Sequence, residues 1–102
     1  MLKIIKKQIR PNTSVDFFVA GESVKDWIAS NYIMTGKILD IPSTAISEDG
    51  LEMTKTFYWA SADDAQLFKD DPYLIEYLHT PRESYLAANG IILLSVSQDD
   101  QP

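Results

Sequence analysis

The sequence predicts an α+β domain with the element order βαββαβ. Three observations carry that reading. Leu51, Met53, Phe57 and Trp59 alternate with Glu52, Thr54, Thr56 and Tyr58, the period of two that marks a strand. Val24, Trp27, Ile28 and Tyr32 fall at the i, i+3, i+4, i+8 spacing of one helical face. Ser61 before Asp63-Asp64, Asp71-Pro72, and Asn89-Gly90 punctuate a second helical region that ends where Ile91-Ile92-Leu93-Leu94 begins.

Taken in order, Leu2 to Ile9 is rich in β-branched isoleucine and stops at Arg10-Pro11, so it is strand one. Pro11 to Gly21 is a loop in which Phe17 and Phe18 fold back over the core. Glu22 to Met34 is the first helix, with Gly36 just past its end. Lys37 to Ile46 reads as a strand interrupted by Pro42, which cannot donate to a ladder and therefore belongs at a sheet edge. Ser47-Glu48-Asp49-Gly50 is a tight turn into the third strand, with positive φ expected at Gly50. Ser61 caps the next helix and its acids meet the positive end of the dipole. Asp71-Pro72 starts another helix, and Thr80-Pro81 predicts a kink or restart. Ile91 to Val96 is the last strand, so residues 1–97 form one domain and 98–102 a polar tail.

This order is the split-βαβ, ferredoxin-like unit: a four-stranded antiparallel sheet with helices on one face. The last strand carries Ile91 and Leu93 on one side and Ile92, Leu94 and Val96 on the other. A strand that is apolar on both faces belongs to a sheet covered twice. A chain of 102 residues lacks a second layer of its own. The expected cover is a second copy, packed sheet to sheet.

Composition narrows the function classes. At 11.5 kDa the chain has room for one domain that buries roughly two-thirds of its unfolded surface. The absence of cysteine removes disulfides, thiolate metal sites and thiol nucleophiles. A net charge of −6 argues against nucleic-acid binding, because phosphate backbones repel an acidic chain. No apolar run approaches the ~20 residues of a membrane helix, so the chain is read as a cytoplasmic protein with no membrane partner.

Trp59-Ala60-Ser61-Ala62-Asp63-Asp64-Ala65, following the strand with Phe57, resembles the strand-to-helix junction of the dimeric α+β barrel superfamily, to which antibiotic-biosynthesis monooxygenase-like domains belong. That resemblance implies a homodimer whose two sheets form one barrel, with a cleft between sheet and helices. Many members with haem or oxygenase chemistry carry a histidine one short helix after the tryptophan, where Phe68 stands here. They also use an asparagine on the first strand, which Leu2 to Arg10 lacks. Arg10-Pro11-Asn12-Thr13 and Glu48-Asp49-Gly50-Leu51 are similar to segments of small proteins of tailed bacteriophages.

No catalytic residue, metal site or cofactor is assigned. His79 is the single histidine and stands at a helix break, where an imidazole commonly caps carbonyls. Asp63-Asp64 and Asp70-Asp71 sit at helix N-termini, where capping already explains them. Lys3, Lys6, Lys7 and Arg10 read as solvated edges of strand one. The aromatic set is the feature to follow, and Phe57, Trp59, His79 and Tyr85 are the candidate ligand-binding residues, lining a pocket for an apolar small molecule. Two functional readings follow. One is a homo-oligomeric interaction protein of phage origin without chemistry of its own. The other is a monooxygenase-like enzyme or binder of an apolar or aromatic ligand in the cleft.

Overall fold

A computed structural model describes residues 1–99. Its strands are β1 (Leu2–Ile9), β2 (Ser43–Ile46), β3 (Glu52–Trp59) and β4 (Ile92–Asp99), in the order β2-β3-β1-β4 with every pairing antiparallel. The helices are α1 (Glu22–Ile28), α2 (Ala62–Asp70), α3 (Pro72–Leu74) and α4 (Thr80–Asn89). The α+β, ferredoxin-like order expected from the sequence is the one found.

Register decides which residues meet the helices. Ile4 pairs with Phe57, Lys6 with Lys55 and Gln8 with Met53, so Leu2, Ile4, Lys6 and Gln8 share a face with Met53, Lys55, Phe57 and Trp59. That face carries the core: Trp59 packs with Val24, Tyr32, Ile38, Phe68, Leu74 and Leu78. The opposite face shows Ile92, Leu94 and Val96, about half exposed at 58, 49 and 52%. The outward side of β4 is apolar as expected, whereas its helix-facing side carries Leu93 and then Ser95 and Ser97, with Ile91 buried just ahead of the strand.

Three boundaries differ from the sequence reading, each for a physical reason. The strand expected over Lys37 to Ile46 shrinks to Ser43–Ile46 at the sheet edge, because Pro42 interrupts the ladder; upstream only Ile38 bridges Trp59. The first helix loses its α-geometry after Ile28 and continues as a π-turn, Ala29–Ile33, which carries Tyr32 into the core. The restart expected at Thr80-Pro81 is present, with an irregular turn ahead of it: α4 begins at Thr80 and carries Pro81 in its first turn. A π-turn, Ile75–His79, links α3 to α4, and the wider turn accommodates the ring. β4 runs on through Gln98 and Asp99, which pair with Lys3 and Leu2, because backbone pairing with β1 continues regardless of side-chain polarity. The rest of the expected tail, 100–102, lies outside the described residues.

Local chemistry explains the remaining elements. Ser61 Oγ accepts from the Asp64 amide at 3.1 Å and caps α2. Gly50 adopts φ +76° in the β2–β3 turn and Gly90 φ +66° after α4, conformations that favour glycine. Gln8 is buried in the sheet, yet both its polar atoms are satisfied by the backbone of Phe18: its Nε2 donates to the carbonyl at 3.0 Å and its Oε1 accepts from the amide at 2.9 Å. This pair pins the loop after β1, and Phe18 packs on the core cluster as expected. Phe17 instead lies under the Arg10 guanidinium, 4.2 Å from its ring centroid.

One carboxylate ties the helical layer together. Asp71 caps α3 by accepting from the Tyr73 amide, and its Oδ2 accepts from Trp27 Nε1 at 2.9 Å and Tyr32 Oη at 2.7 Å. The Trp27 ring stacks on Tyr73 with centroids 4.2 Å apart. Burial pushes the Asp71 carboxyl up, but the bonds from Trp27, Tyr32 and the Tyr73 and Leu74 amides outweigh it and hold the group below the usual carboxylate range.

Two expectations follow for stability. Trp59 is 2% exposed and meets Tyr32 and Phe68 edge-on, so Trp59→Ala should cost about 3–5 kcal/mol in urea unfolding. A loss under about 1 kcal/mol would show that Trp59 is no core residue. Asp71→Ala strands the buried Tyr32 hydroxyl and removes a cap, for a loss of about 2–4 kcal/mol. Because the folded carboxyl is depressed, its contribution is present above its unfolded value near pH 4 and is lost as pH falls through the folded value. Asp71→Asn should flatten that acid limb of the stability curve, and an unchanged limb would contradict the assignment.

Candidate functional site

The helices cover the sheet without filling it. Between them lies a cleft of about 740 Å³, floored by Leu2, Ile4, Phe57, Trp59 and Leu93 and walled by α2, the π-turn and α4. That volume is in the range of small-molecule sites. A smaller chamber of about 80 Å³ shares Lys6, Phe57, Phe68, Arg82 and Leu93 with it and reaches Lys55 and Gln8.

The cations of this cleft are its unusual feature. Lys6 and Lys55 stand directly opposite each other on the helix-facing side of β1 and β3, where like charges repel. Arg82 projects from α4 above them, with its Nε buried and lacking a hydrogen-bond partner. No carboxylate lies within salt-bridge distance of these three, since the one ion pair among the described residues joins Lys7 to Glu52 on the other face.

The electrostatic cost shows in their proton affinities. Burial, then the Arg82 and Lys69 charges, push Lys6 down from 10.5 to about 8. At roughly 1.4 kcal/mol per unit, keeping Lys6 charged costs about 3 kcal/mol. Burial, then Lys25, lowers Lys55 as well. Burial lowers Arg82, which Glu83 partly offsets. Gln8, two residues from Lys6 on the same face, has every polar atom bonded; Lys6 has no carboxylate within salt-bridge distance, and Arg82 Nε is buried without a partner.

Of the sequence-derived candidates, Phe57, Trp59 and His79 line the cleft, while Tyr85 does not. Its hydroxyl donates to the Asp16 carbonyl at 2.7 Å and its ring packs on Phe18, so it anchors the loop after β1. His79 Nε2 lies 3.0 Å from the Phe68 carbonyl and must donate to it, leaving Nδ1 as the free lone pair of a neutral ring. Burial lowers its proton affinity first, the Phe68 bond raises it, and Arg82 and Lys6 lower it further. Phe68 stands in the wall with its ring 5.2 Å from Trp59.

Sequence reasoning assigned Lys6 to a solvated edge and passed over Lys55 and Arg82. A signal was present for the two lysines. Lys6 keeps phase with Leu2 and Ile4, and Lys55 is the single cation in the apolar phase of β3. Arg82 has no such marker, because one arginine on an amphipathic helix is ordinary. Among the described residues no three His, Asp or Glu side chains gather to hold a metal ion. The chemistry available here is that of cations beside aromatic rings.

No family model matches the sequence, and no curated protein matches it. Solved structures do. A crystal structure from Deinococcus radiodurans, provisionally assigned as an antibiotic-biosynthesis monooxygenase, superposes with a TM-score of 0.62 at 9% identity, covering 100% of this chain and 94% of that one. A dimeric ferredoxin-like protein from an uncultured marine organism superposes with a TM-score of 0.56 at 10% identity, covering 95% and 92%. At such identities the likeness is one of fold. The chain has the ferredoxin-like α+β fold of the antibiotic-biosynthesis monooxygenase-like and dimeric ferredoxin-like proteins.

Proposed function

We propose that this protein is a self-associating binder of a small apolar or aromatic molecule, which it takes into the cleft between sheet and helices. The observation that carries this reading is the open cleft, floored by Phe57 and Trp59 and about 740 Å³ in volume. An interaction protein without a ligand has no need to leave that space unfilled, since packing it would add stability. Monooxygenase-like chemistry has only the fold in its favour, and fold is weak evidence for activity.

Self-association rests on the other side of the sheet. Ile92, Leu94 and Val96 are exposed in a row on β4, with Ile5 beside Val96 and Ile9 beside Ile92 on β1. A second copy can cover this apolar strip isologously, sheet to sheet, and one of the similar folds is a dimer.

Sedimentation equilibrium at micromolar concentration should therefore return twice the chain mass. Leu94→Asp should return a folded monomer, because the side chain is half exposed within one chain and buried only in the pair. Wild-type protein that stays monomeric would remove the dimer from the account. Binding is tested with the neutral fluorophore N-phenyl-1-naphthylamine. Saturable emission that is lost in Phe57→Ser supports the cleft, and emission indifferent to that change counts against it.

A further inference from the structure

We propose that the ligand of this cleft is an anion: an aromatic-sized apolar body against Phe57 and Phe68, with one carboxylate, sulfonate or phosphate group held among Lys6, Lys55 and Arg82. The inference rests on the binding role proposed above and names the chemical class that the site would take.

Charge bookkeeping points the same way from independent residues. The whole chain carries −6, yet the cleft and its chamber gather cations. The sheet contributes Lys6 and Lys55, α2 contributes Lys69 and Asp70, and α4 contributes Arg82 and Glu83. Four cations thus face two carboxylates, with His79 neutral, and neither carboxylate forms an ion pair with any of them. The acids come from the helices. The sheet contributes cations and no carboxylate.

Surface lysines usually extend their ammonium into water along an apolar stem. Lys6 cannot do so freely, because it lies on the central strand β1 beneath the helices and is flanked by β3 and β4. A buried cation is normally paired with a carboxylate of its own chain. Here two lysines face each other across a strand pair and a guanidinium Nε has no acceptor, so the missing partner is one negative group. An oxyanion supplies acceptors to both kinds of donor, and a guanidinium meets such a group with paired hydrogen bonds. The apolar floor beside them sets the rest of the ligand. A free inorganic anion would leave Phe57 and Phe68 uncovered.

The test compares two fluorophores that share one apolar body, 1-anilinonaphthalene-8-sulfonate and neutral N-phenyl-1-naphthylamine. Wild-type protein should bind the sulfonate at least roughly tenfold more tightly. In the double variant Lys6→Met, Arg82→Met that preference should fall to about unity while the neutral probe still binds. Saturating sulfonate should also protect Lys6 from acylation, read by peptide mass spectrometry, and the neutral probe should protect it less. Removing an unmatched charge leaves folding intact, so Lys6→Met should melt no lower than wild type. Equal affinity for both probes overturns the anion and leaves the apolar cleft standing. Preference for the sulfonate that survives the double variant places the anion elsewhere and also overturns it. Failure of both probes to bind overturns the binding role itself.

Discussion

The structure depends on one carboxylate that fastens the helical segments to one another. Asp71 ends α2, caps α3, and accepts from Trp27 and Tyr32 of the first helical segment. It thereby joins segments 39 and 44 residues apart in sequence. The helices are locked to one another at the Tyr32 end, where Tyr32, Trp59 and Phe68 pack edge to face. Trp59 and Phe68 of that knot also border the cleft, which extends from them over the sheet toward Arg82 and Leu93. A site bordered by packed aromatic residues is held in place by the core itself.

Within that space the sheet keeps charge where packing would prefer a hydrocarbon. Lys6 and Lys55 take positions whose neighbours in the pleat are Ile4, Met53 and Phe57, and their lowered proton affinities measure the cost. Gln8 shows that the same strand can bury a polar side chain and satisfy it fully. The contrast separates a structural polar group from an unmatched one. Stability given up in a small domain is the signature expected where function has set the residue.

Much of this was legible in the chain. The period-two run to Trp59, the caps at Ser61 and Asp71-Pro72, and the glycine turns at Gly50 and Gly90 are local signals with local causes, and each appears where the sequence places it. The two-faced composition of β4 likewise announced an uncovered face. The π-turns were not legible, because a one-residue widening changes no periodicity that a short segment can display. Tyr85 was misplaced for a related reason: an aromatic on a helix declares that it is half-buried, but not on which side of the helix. Lys6 was hidden by company. Four cations within ten residues look like a solvated strand unless the pleat is counted, and only two of the four lysine and arginine positions share the parity of Ile4.

The most direct measurement is the titration of Lys6 itself, followed by carbon-13 NMR of its ε-carbon in the free protein. The account requires a midpoint near 8, well below the 10.5 of a solvated lysine, because burial and the Arg82 charge both disfavour the ammonium. By linkage the folded state then binds fewer protons than the unfolded one between these values. Stability should therefore rise with pH across that window as the burden of the charge is lifted. A Lys6 that titrates at its ordinary value, with stability flat over the same range, would show the ammonium to be solvated or paired and would leave the cleft without its unmatched cation.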